Sequence, residues 1–256
     1  MNALYADATG QIADPLGGLH DLNARRVRFI EDADQRIKED YLRILRFFRF
    51  HAWYGDDGEG PDADGLAACA ANIEGLHTLS VERVTSELLK LLAAPNPAPA
   101  VASMAATGAL AQVLPGSAAA PLPVLIHVEE HAGLIPHPIR RLAALGGAPT
   151  DALRLSKNDA VRLAVIKQDT DPVELAYREG ADLATDAIAL QSAATGQTIA
   201  PASLRAVQHA ANQTFPLKAA DLMPDLQGPA LGKALKKAEQ RWIASGFTLG
   251  KDDLLG

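Results

Sequence analysis

Four charged residues between positions 39 and 50 have types and spacing that suit the recognition of a nucleotide. They follow one another at intervals of three residues: Asp40, Arg43, Arg46 and Arg49. A carboxylate accepts hydrogen bonds and a guanidinium donates them, so Asp40 and Arg43 side by side would match a base edge that offers both groups. The permanent charge and forked shape of the other arginines suit phosphate. We therefore take these four as candidate nucleotide-binding residues.

The same stretch has the apolar periodicity of a helix with one buried face. The apolar residues that define this face are Ile37, Tyr41, Ile44, Leu45 and Phe48. The pattern predicts a continuous helix with Asp40 and Arg43 on a shared polar face and Arg49 pointing away from them. Phe47 and Phe50 flank Arg43 on the helical projection, which would allow a base to stack there.

A plain structural explanation accounts for the same spacing. Amphipathic helices commonly carry ion pairs between residues three or four positions apart. Arg36 with Asp40, or Asp40 with Arg43, would be such pairs. Spacing alone leaves both interpretations open.

Composition excludes several other classes of protein. The 256 residues carry a formal net charge of −7, so any contact with RNA must be a local basic patch on an acidic background. The single cysteine, Cys69, provides neither a disulfide nor a set of zinc ligands. Prolines interrupt the apolar stretches before they reach ~20 residues, and the first residues lack the features of a signal peptide. We expect a cytoplasmic protein with no membrane partner; its oligomeric state is left open.

Periodicity and helix breakers predict a mostly helical chain after residue 34. The predicted helices beyond the first are near 66–75, 80–93, 100–113, 124–132, 138–145, 149–154, 156–167, 171–178, 181–193, 201–211 and 229–245. Before them, short extended runs at 4–6, 11–13 and 26–30 predict the edge of a small sheet.

Several motifs, met in order along the chain, are similar to those of one enzyme family. They lie at residues 2–5, 14–22, 36–43, 82–88 and, near the C-terminus, 215–243. With this order and these gaps, the chain resembles the class II CCA-adding tRNA nucleotidyltransferases and the related bacterial poly(A) polymerases. In that family the motif like 14–22 is a flexible loop, the Glu-Asp-x-x-Arg motif like 36–43 recognises the nucleotide, and the motif like 82–88 buttresses the recognition helix.

The resemblance implies a fold class and a division into domains. We expect a mainly α-helical protein with helical neck, body and tail domains and a small β remnant of the nucleotidyltransferase head at the N-terminus. The expected ranges are 1–30 for the remnant of the head, 31–116 for the neck with its nucleotide-recognition and RNA-binding helices, and 117–256 for the body and tail that bind tRNA. The Pro- and Ala-rich segment 115–123 is the expected boundary.

The resemblance also implies a reaction, the addition of CCA to the 3′ end of tRNA from CTP and ATP, with the acceptor arm of the tRNA as partner. In the family, an Asp-x-Asp pair in the head binds Mg²⁺. Asp62-Ala63-Asp64 has this spacing but follows a Gly- and Asp-rich loop and not a β-rich run, so we do not assign it as catalytic. We expect the chain to lack the catalytic head, to contain no metal site and to be inactive alone.

Cations near the C-terminus are candidate RNA-binding residues, because lysine and arginine can follow the phosphates of RNA. These candidates are Lys218, Lys233, Lys236, Lys237 and Arg241. A solvated helix surface would show the same pattern.

Two histidine patterns suggest metal sites but lack ligands. The segment 127–131 fits the pattern H-x-x-E-H, yet a catalytic zinc needs a third protein ligand in a supporting context. His20-Asp21 is similar to the dipeptide of HD phosphohydrolases, yet no histidine precedes it as a first ligand. We expect neither segment to bind a metal.

Three functions stay compatible with the sequence. The first is a CCA-adding tRNA nucleotidyltransferase, in which Asp40 and Arg43 present a protein template to CTP and ATP while Arg46 and Arg49 contact phosphate or hold the helix. The second is a non-catalytic helical module that binds RNA or protein. The third is a poly(A) polymerase of the same family.

Overall fold

The computed structural model describes residues 4–56, 58, 60–223 and 226–255. Asn2 and Ala3, which belong to the first motif, lie outside the described residues. The chain divides into two compact units. The first comprises residues up to Lys167 together with Ala189–Thr198, and the second comprises Gln168–Ile188 and the residues from Ile199 onward. Segment 115–123 lies inside the first unit, and the three expected domain ranges stay predictions.

The N-terminal part forms a small antiparallel hairpin, in agreement with the expected β remnant. Strand β1 (Tyr5–Ala6) pairs with β2 (Ile12–Ala13) in the register Tyr5 with Ala13 and Ala6 with Ile12. The carboxylate of Asp7 closes the turn by accepting hydrogen bonds from the backbone N–H groups of Thr9 and Gln11. The strand predicted at 26–30 is wrong, since this segment pairs with no other strand in the described part of the chain.

Helices form the rest of the first unit. They are α1 (Gly18–Asn23), α2 (Ala33–Glu39), α3 (Leu42–Tyr54), α4 (Ala63–Ala71), a 3₁₀ helix (Ile73–Thr78), α5 (Val81–Leu92), α6 (Ala98–Ala106), α7 (Ala109–Val113), α8 (Pro121–Ala132), α9 (Pro138–Leu145), α10 (Pro149–Ala152) and α11 (Lys157–Ile166). The second unit contains α12 (Pro172–Glu179), α14 (Pro201–Ala211), a 3₁₀ helix (Ala219–Leu222), α15 (Gly228–Ala244) and α16 (Lys251–Leu255), and α13 (Ala181–Thr195) contributes to both units. The mainly α fold class is confirmed.

Local chemistry explains where these helices begin and end. Side-chain oxygens of Asp32, Asp62 and Ser80 accept hydrogen bonds from N–H groups in the first turns of α2, α4 and α5, which satisfies donors that have no partner inside the helix. The single helix predicted at 100–113 is two helices, because Gly108 adopts a left-handed conformation with φ +84° between α6 and α7.

The core of the first unit forms where α3 packs against α5 and α6. The apolar face predicted for the recognition segment is buried at Ile37, Ile44, Leu45 and Phe48. Cys69 is buried as well, and burial raises the pKa of its thiol to about 12, so the thiol stays protonated and unreactive.

A buried ionic cluster joins three helices of this unit. Glu129 of α8 accepts hydrogen bonds from Nε of Arg140 at 2.8 Å and from Nε of Arg141 at 2.9 Å. Arg141 also donates to the backbone carbonyl of Leu92, the last residue of α5, and to those of Ala94 and Pro95 just beyond it. These carbonyls have no helical donor, so Arg141 caps the C-terminal end of α5 as well as neutralising Glu129.

The second unit has its own aromatic core. Leu217, Ala238, Trp242 and Leu254 are buried there, with Tyr177 packed against them. The hydroxyl of Tyr177 donates to Oε1 of Glu239 at 2.8 Å; burial first, and then this carboxylate, raise the pKa of Tyr177 to about 12. Across the described residues, no helix combines the length and apolar character required to cross a bilayer.

Replacing Arg141 with Met should lower the free energy of unfolding by about 3–5 kcal/mol, because buried Glu129 loses a partner and three carbonyls lose their donor. Arg154→Met is the matched control: its ion pair with Glu82 is long, at 3.6 Å, and exposed, so the change should stay within about 0.5 kcal/mol. Urea unfolding followed by circular dichroism measures both variants. Equal midpoints would contradict a stabilising role for the cluster.

Candidate nucleotide-binding groove

The recognition segment contains a break at Asp40. Helix α2 ends at Glu39, Asp40 has extended backbone angles, and α3 begins at Leu42. Oδ1 of Asp40 accepts a hydrogen bond from the N–H of Leu42 at 3.1 Å. The prediction of a continuous helix is therefore wrong. The short side chain of Asp40 accepts a hydrogen bond from the first turn of a new helix, as Asp commonly does at such positions.

The break changes the ion pairs of the segment. Oδ2 of Asp40 accepts a hydrogen bond from Nη2 of Arg83 in α5 at 2.8 Å. Arg36 and Arg43 both bond to Glu39, at 2.8 Å and 2.6 Å. The pairs considered from spacing, Arg36 with Asp40 and Asp40 with Arg43, are thus replaced by pairs with other residues.

Arg43 is held in a fixed position by two acceptors. Its Nη1 donates to Oε2 of Glu39 and, at 2.7 Å, to the backbone carbonyl of Arg36. The hydrogen bond from Arg43, followed by the charges of the neighbouring arginines, lowers the pKa of Glu39. Glu39 therefore stays ionised at neutral pH and keeps the guanidinium in place.

A groove lies between α3, α2 and the segment before α2. It is lined by Val27, Arg28, Phe29, Ile30, Arg36, Arg43, Arg46, Phe47 and Phe50, which we call the nucleotide groove. Four guanidinium groups and three aromatic rings line it, and among the described residues no carboxylate does. Phe47 is buried and stacks on Phe29 with ring centroids 5.2 Å apart, so it forms part of the wall. Phe50 is half-buried, with the guanidinium of Arg46 5.6 Å from its ring centroid.

Two of the four predicted nucleotide-binding residues, Arg43 and Arg46, line this groove. Asp40 lies at the break just before α3, outside the lining residues. Arg49 is engaged elsewhere: its Nε is 3.2 Å from Oε2 of Glu87 in α5, and the two side chains are 16% and 9% exposed. Arg49 thus holds α3 against α5, one of the two roles that the sequence left open for it.

Helix α5 supports α3 at two places. Arg83 and Glu87 are four residues apart, so they share one face of α5. Arg83 bonds to Asp40 before the start of α3, and Glu87 pairs with Arg49 in its second half. This geometry matches the buttressing role that the resemblance implies for residues 82–88.

Sequence reasoning missed Arg28 and Phe29 as groove residues. Segment 26–30 was expected to be a strand, and no spacing pattern links it to α3. Nε of Arg28 donates to Oδ2 of the buried Asp21 at 2.8 Å, and this hydrogen bond raises the pKa of Arg28. The pairing depends on the turn that follows α1, which local sequence does not reveal.

The C-terminal cations are exposed in the second unit. Lys233, Lys236 and Lys237 lie within about two turns of α15, while Ala238 and Trp242 of the same helix are buried. Within the described part of this unit, none of the three lysines forms an ion pair. Lys218 is exposed before the second 3₁₀ helix, and Arg241 donates to the backbone carbonyl of Asp253 at 3.1 Å.

The residues considered as metal ligands have other roles. Asp62 caps α4 through the N–H of Gly65. His127 and His131 have ring centroids 4.1 Å apart, and Nδ1 of His131 lies 3.1 Å from the backbone carbonyl oxygen of His127. In the described ranges, no group of three or more His, Cys, Asp or Glu side chains is placed to hold a metal ion. These residues do not fit Mg²⁺.

Comparison with known proteins finds relatives with a similar sequence. Residues 62–120 match the family described as "Probable RNA and SrmB-binding site of polymerase A". The mouse mitochondrial CCA tRNA nucleotidyltransferase 1 is 28% identical over the whole of this chain, which covers 63% of that relative. The CCA-adding enzyme of Geobacillus thermodenitrificans is 42% identical over 46% of this chain and 28% of its own length.

Solved structures show the same fold. The CCA-adding enzyme of Bacillus stearothermophilus in complex with CTP superposes with a TM-score of 0.64 at 23% identity, over 95% of this chain and 67% of that structure. The CCA-adding enzyme of Thermotoga maritima in complex with tRNA gives a TM-score of 0.60 at 16% identity, over 96% of this chain and 66% of that structure.

The fold is that of the helical part of a tRNA nucleotidyltransferase. The chain is similar in sequence to CCA-adding enzymes and shares their fold, and it spans about 63% of the length of the first mammalian relatives.

Glu87→Gln should destabilise the first unit more than Arg83→Gln. Loss of the Glu87 carboxylate leaves Arg49 largely buried without its ion pair, which should cost about 2 kcal/mol or more. The Arg83 and Asp40 side chains are 49% and 30% exposed, so breaking their pair should cost about 1 kcal/mol or less. Thermal and urea unfolding compare the variants; a greater loss for Arg83→Gln would contradict this ranking.

Proposed function

We propose that this chain is the nucleotide-recognising and RNA-binding part of a CCA tRNA nucleotidyltransferase, which adds CCA to the 3′ end of tRNA from CTP and ATP. The observation that carries the proposal is the nucleotide groove, where four arginines and three phenylalanines meet from α2, α3 and the segment before α2. Guanidinium groups bind phosphate bidentately, and aromatic rings stack on bases. One groove thus provides both halves of a nucleotide site.

The residues have distinct roles in this proposal. Arg43, fixed by Glu39 and the carbonyl of Arg36, donates hydrogen bonds to the acceptors of the base. Asp40 accepts from the amino group of the base; its side chain is 30% exposed beside Arg83, so solvent reaches it. Arg46, which has no ion pair among the described residues, contacts phosphate. Arg49 keeps α3 on α5 and reaches phosphate only if Glu87 releases it.

The known relatives support this assignment. Two structures with the same fold are complexes of CCA-adding enzymes with CTP and with ATP, and a third is a complex with tRNA. In this proposal, α15 presents Lys233, Lys236 and Lys237 to the phosphates of the tRNA acceptor arm, with Lys218 and Arg241 nearby in sequence. A cytoplasmic location stays a prediction, since some relatives are named as mitochondrial enzymes.

We expect catalysis to depend on groups other than those of the nucleotide groove. In-line phosphoryl transfer is commonly assisted by paired metal ions that hold the attacking and leaving oxygens. We expect the 256-residue chain alone to incorporate no nucleotide into tRNA, and to bind CTP and ATP through the nucleotide groove.

Asp40→Ala and Arg43→Ala should change which nucleotide is added, in a version of the chain preceded by the catalytic head of a CCA-adding relative. A good bidentate contact to a base contributes about 1–3 kcal/mol of discrimination, so the ratio of CTP to ATP use should change about tenfold or more. Primer extension on tRNA with each nucleotide separately measures this ratio. Long tails made from ATP alone by the unmutated version would instead identify a poly(A) polymerase.

Two controls make this test specific. Arg154→Ala removes an exposed arginine outside the nucleotide groove and should leave selectivity unchanged. Arg83→Ala removes the partner of Asp40 and should alter selectivity less than Asp40→Ala does. Unchanged use of CTP and ATP in both Asp40→Ala and Arg43→Ala would rule out the templating role.

Charge reversal of Lys233, Lys236 and Lys237 to Glu should weaken tRNA binding and reduce its salt dependence without changing thermal unfolding. Each lost phosphate contact should lower the log–log salt slope by about 0.7–0.9. The matched control reverses Arg154, Lys157 and Lys167, which are also exposed and give the same change in net charge. Filter binding at several salt concentrations measures both variants. Equal slopes would mean that the α15 lysines form only a solvated helix face.

A further inference from the structure

A second groove lies at the C-terminal end of α3. Its lining residues are Arg49, Phe50, Trp53, Tyr54, Lys90 and Ala93, and we call it the aromatic groove. Trp53 is 42% exposed and Tyr54 is 48% exposed. Phe50 lines both this groove and the nucleotide groove, so the two are neighbours on α3.

Trp53 is held in a fixed orientation at this surface. Its Nε1 donates a hydrogen bond to the backbone carbonyl of Lys90 at 2.8 Å. That carbonyl lies in the last turn of α5, where carbonyls have no helical donor. The hydrogen bond therefore fixes the indole while leaving much of its surface in solvent, whereas the other tryptophan, Trp242, is only 3% exposed. An aromatic ring fixed in advance loses little entropy when a ligand stacks on it.

Cations accompany the aromatic rings. The guanidinium of Arg49 is 4.6 Å from the centroid of Phe50, and the ring of Phe50 is 6.2 Å from that of Tyr54. Arg49 and Lys90 share one carboxylate, Glu87, and the amine of Lys90 is 4.0 Å from it and largely exposed. The lining thus carries a positive charge in excess beside flat apolar surfaces.

We propose that the aromatic groove binds an unpaired segment of RNA, with bases stacked on Trp53 and Tyr54 and a phosphate beside Lys90. Binding sites for single-stranded nucleic acid commonly combine aromatic rings with adjacent cations. Every base has a face that can stack on a ring, and every phosphodiester linkage carries a negative charge. The inference rests on the proposed function in one respect, that RNA is the partner, and it adds a second contact for the RNA outside α15.

Intrinsic fluorescence tests stacking directly, because Trp53 and Trp242 are the two tryptophans of the chain and only Trp53 is exposed. Titration of the full chain with a short single-stranded oligoribonucleotide of cytidine and adenosine should quench Trp53. Trp53→Phe keeps an aromatic ring and leaves Trp242 as the only tryptophan. This variant should still bind the labelled oligonucleotide, as measured by anisotropy, but show no quenching.

Affinity measurements test the other residues of the groove. Tyr54→Ala should weaken binding of the labelled oligonucleotide about tenfold, the scale expected for the loss of one stacked base. Tyr54→Phe retains the ring and should bind like the parent chain. Ile135→Ala, which removes an 85% exposed apolar side chain without a ring, should have no effect. Circular dichroism confirms that each variant is folded.

The outcomes separate this inference from the proposed function. If the chain binds tRNA through the α15 lysines while the oligonucleotide leaves Trp53 unquenched and Tyr54→Ala has no effect, the inference is wrong and the proposed function stands. If neither tRNA nor the oligonucleotide binds, both are wrong. A partner protein that requires Tyr54, with no quenching by RNA, would identify the groove as a protein-docking surface and overturn the inference.

Discussion

The attachment of α3 to α5 is the interaction on which both grooves depend. Arg83 bonds to Asp40 before α3, and Glu87 pairs with Arg49 further along it, so α3 is fixed at two points about two turns apart. Helix α5 is itself anchored at its C-terminal end, where Arg141 bonds to three backbone carbonyls and to buried Glu129. The buried ionic cluster therefore acts on the grooves through α5. The same end of α5 contains Lys90, whose carbonyl orients Trp53.

Electrostatics explain how an acidic chain can bind anions. The net charge of −7 would repel a polyanion if it were spread evenly. In the nucleotide groove, however, Arg28, Arg36 and Arg43 are oriented by two carboxylates, Asp21 and Glu39, and Arg46 adds a further charge. The guanidinium groups outnumber the carboxylates that hold them, so the groove keeps a local positive charge that attracts phosphate. The carboxylates lie outside the lining, where they orient the cations without facing the ligand.

The sequence predicted helices well and tertiary pairing poorly, for physical reasons. Apolar periodicity and helix breakers located helices to within a few residues, because these signals act within one or two turns. The break at Asp40 was missed, since the apolar period continues across it and the aspartate was read as a base-recognising group. Arg28 was missed because its position depends on Asp21 and on packing of segment 26–30 against α3. Asp40 and Arg49 were identified as chemically special, but their partners Arg83 and Glu87 come from another helix.

The nucleotide groove contains arginines, whereas the exposed cations of α15 are mostly lysines. This difference is consistent with the kind of ligand group that each side chain recognises. Arg36 and Arg43 are fixed by Glu39 and by a backbone carbonyl, and a fixed fork recognises a planar edge with defined donors. Lys233, Lys236 and Lys237 are exposed and have no ion pair within the described part of their unit. A flexible ammonium group can contact phosphates at different positions along the RNA backbone. It therefore contributes affinity with little selectivity for sequence. Under the proposed function, selection among nucleotides is therefore assigned to the first unit, where the cations are rigid, while the second unit suits a partner recognised by its charge and shape.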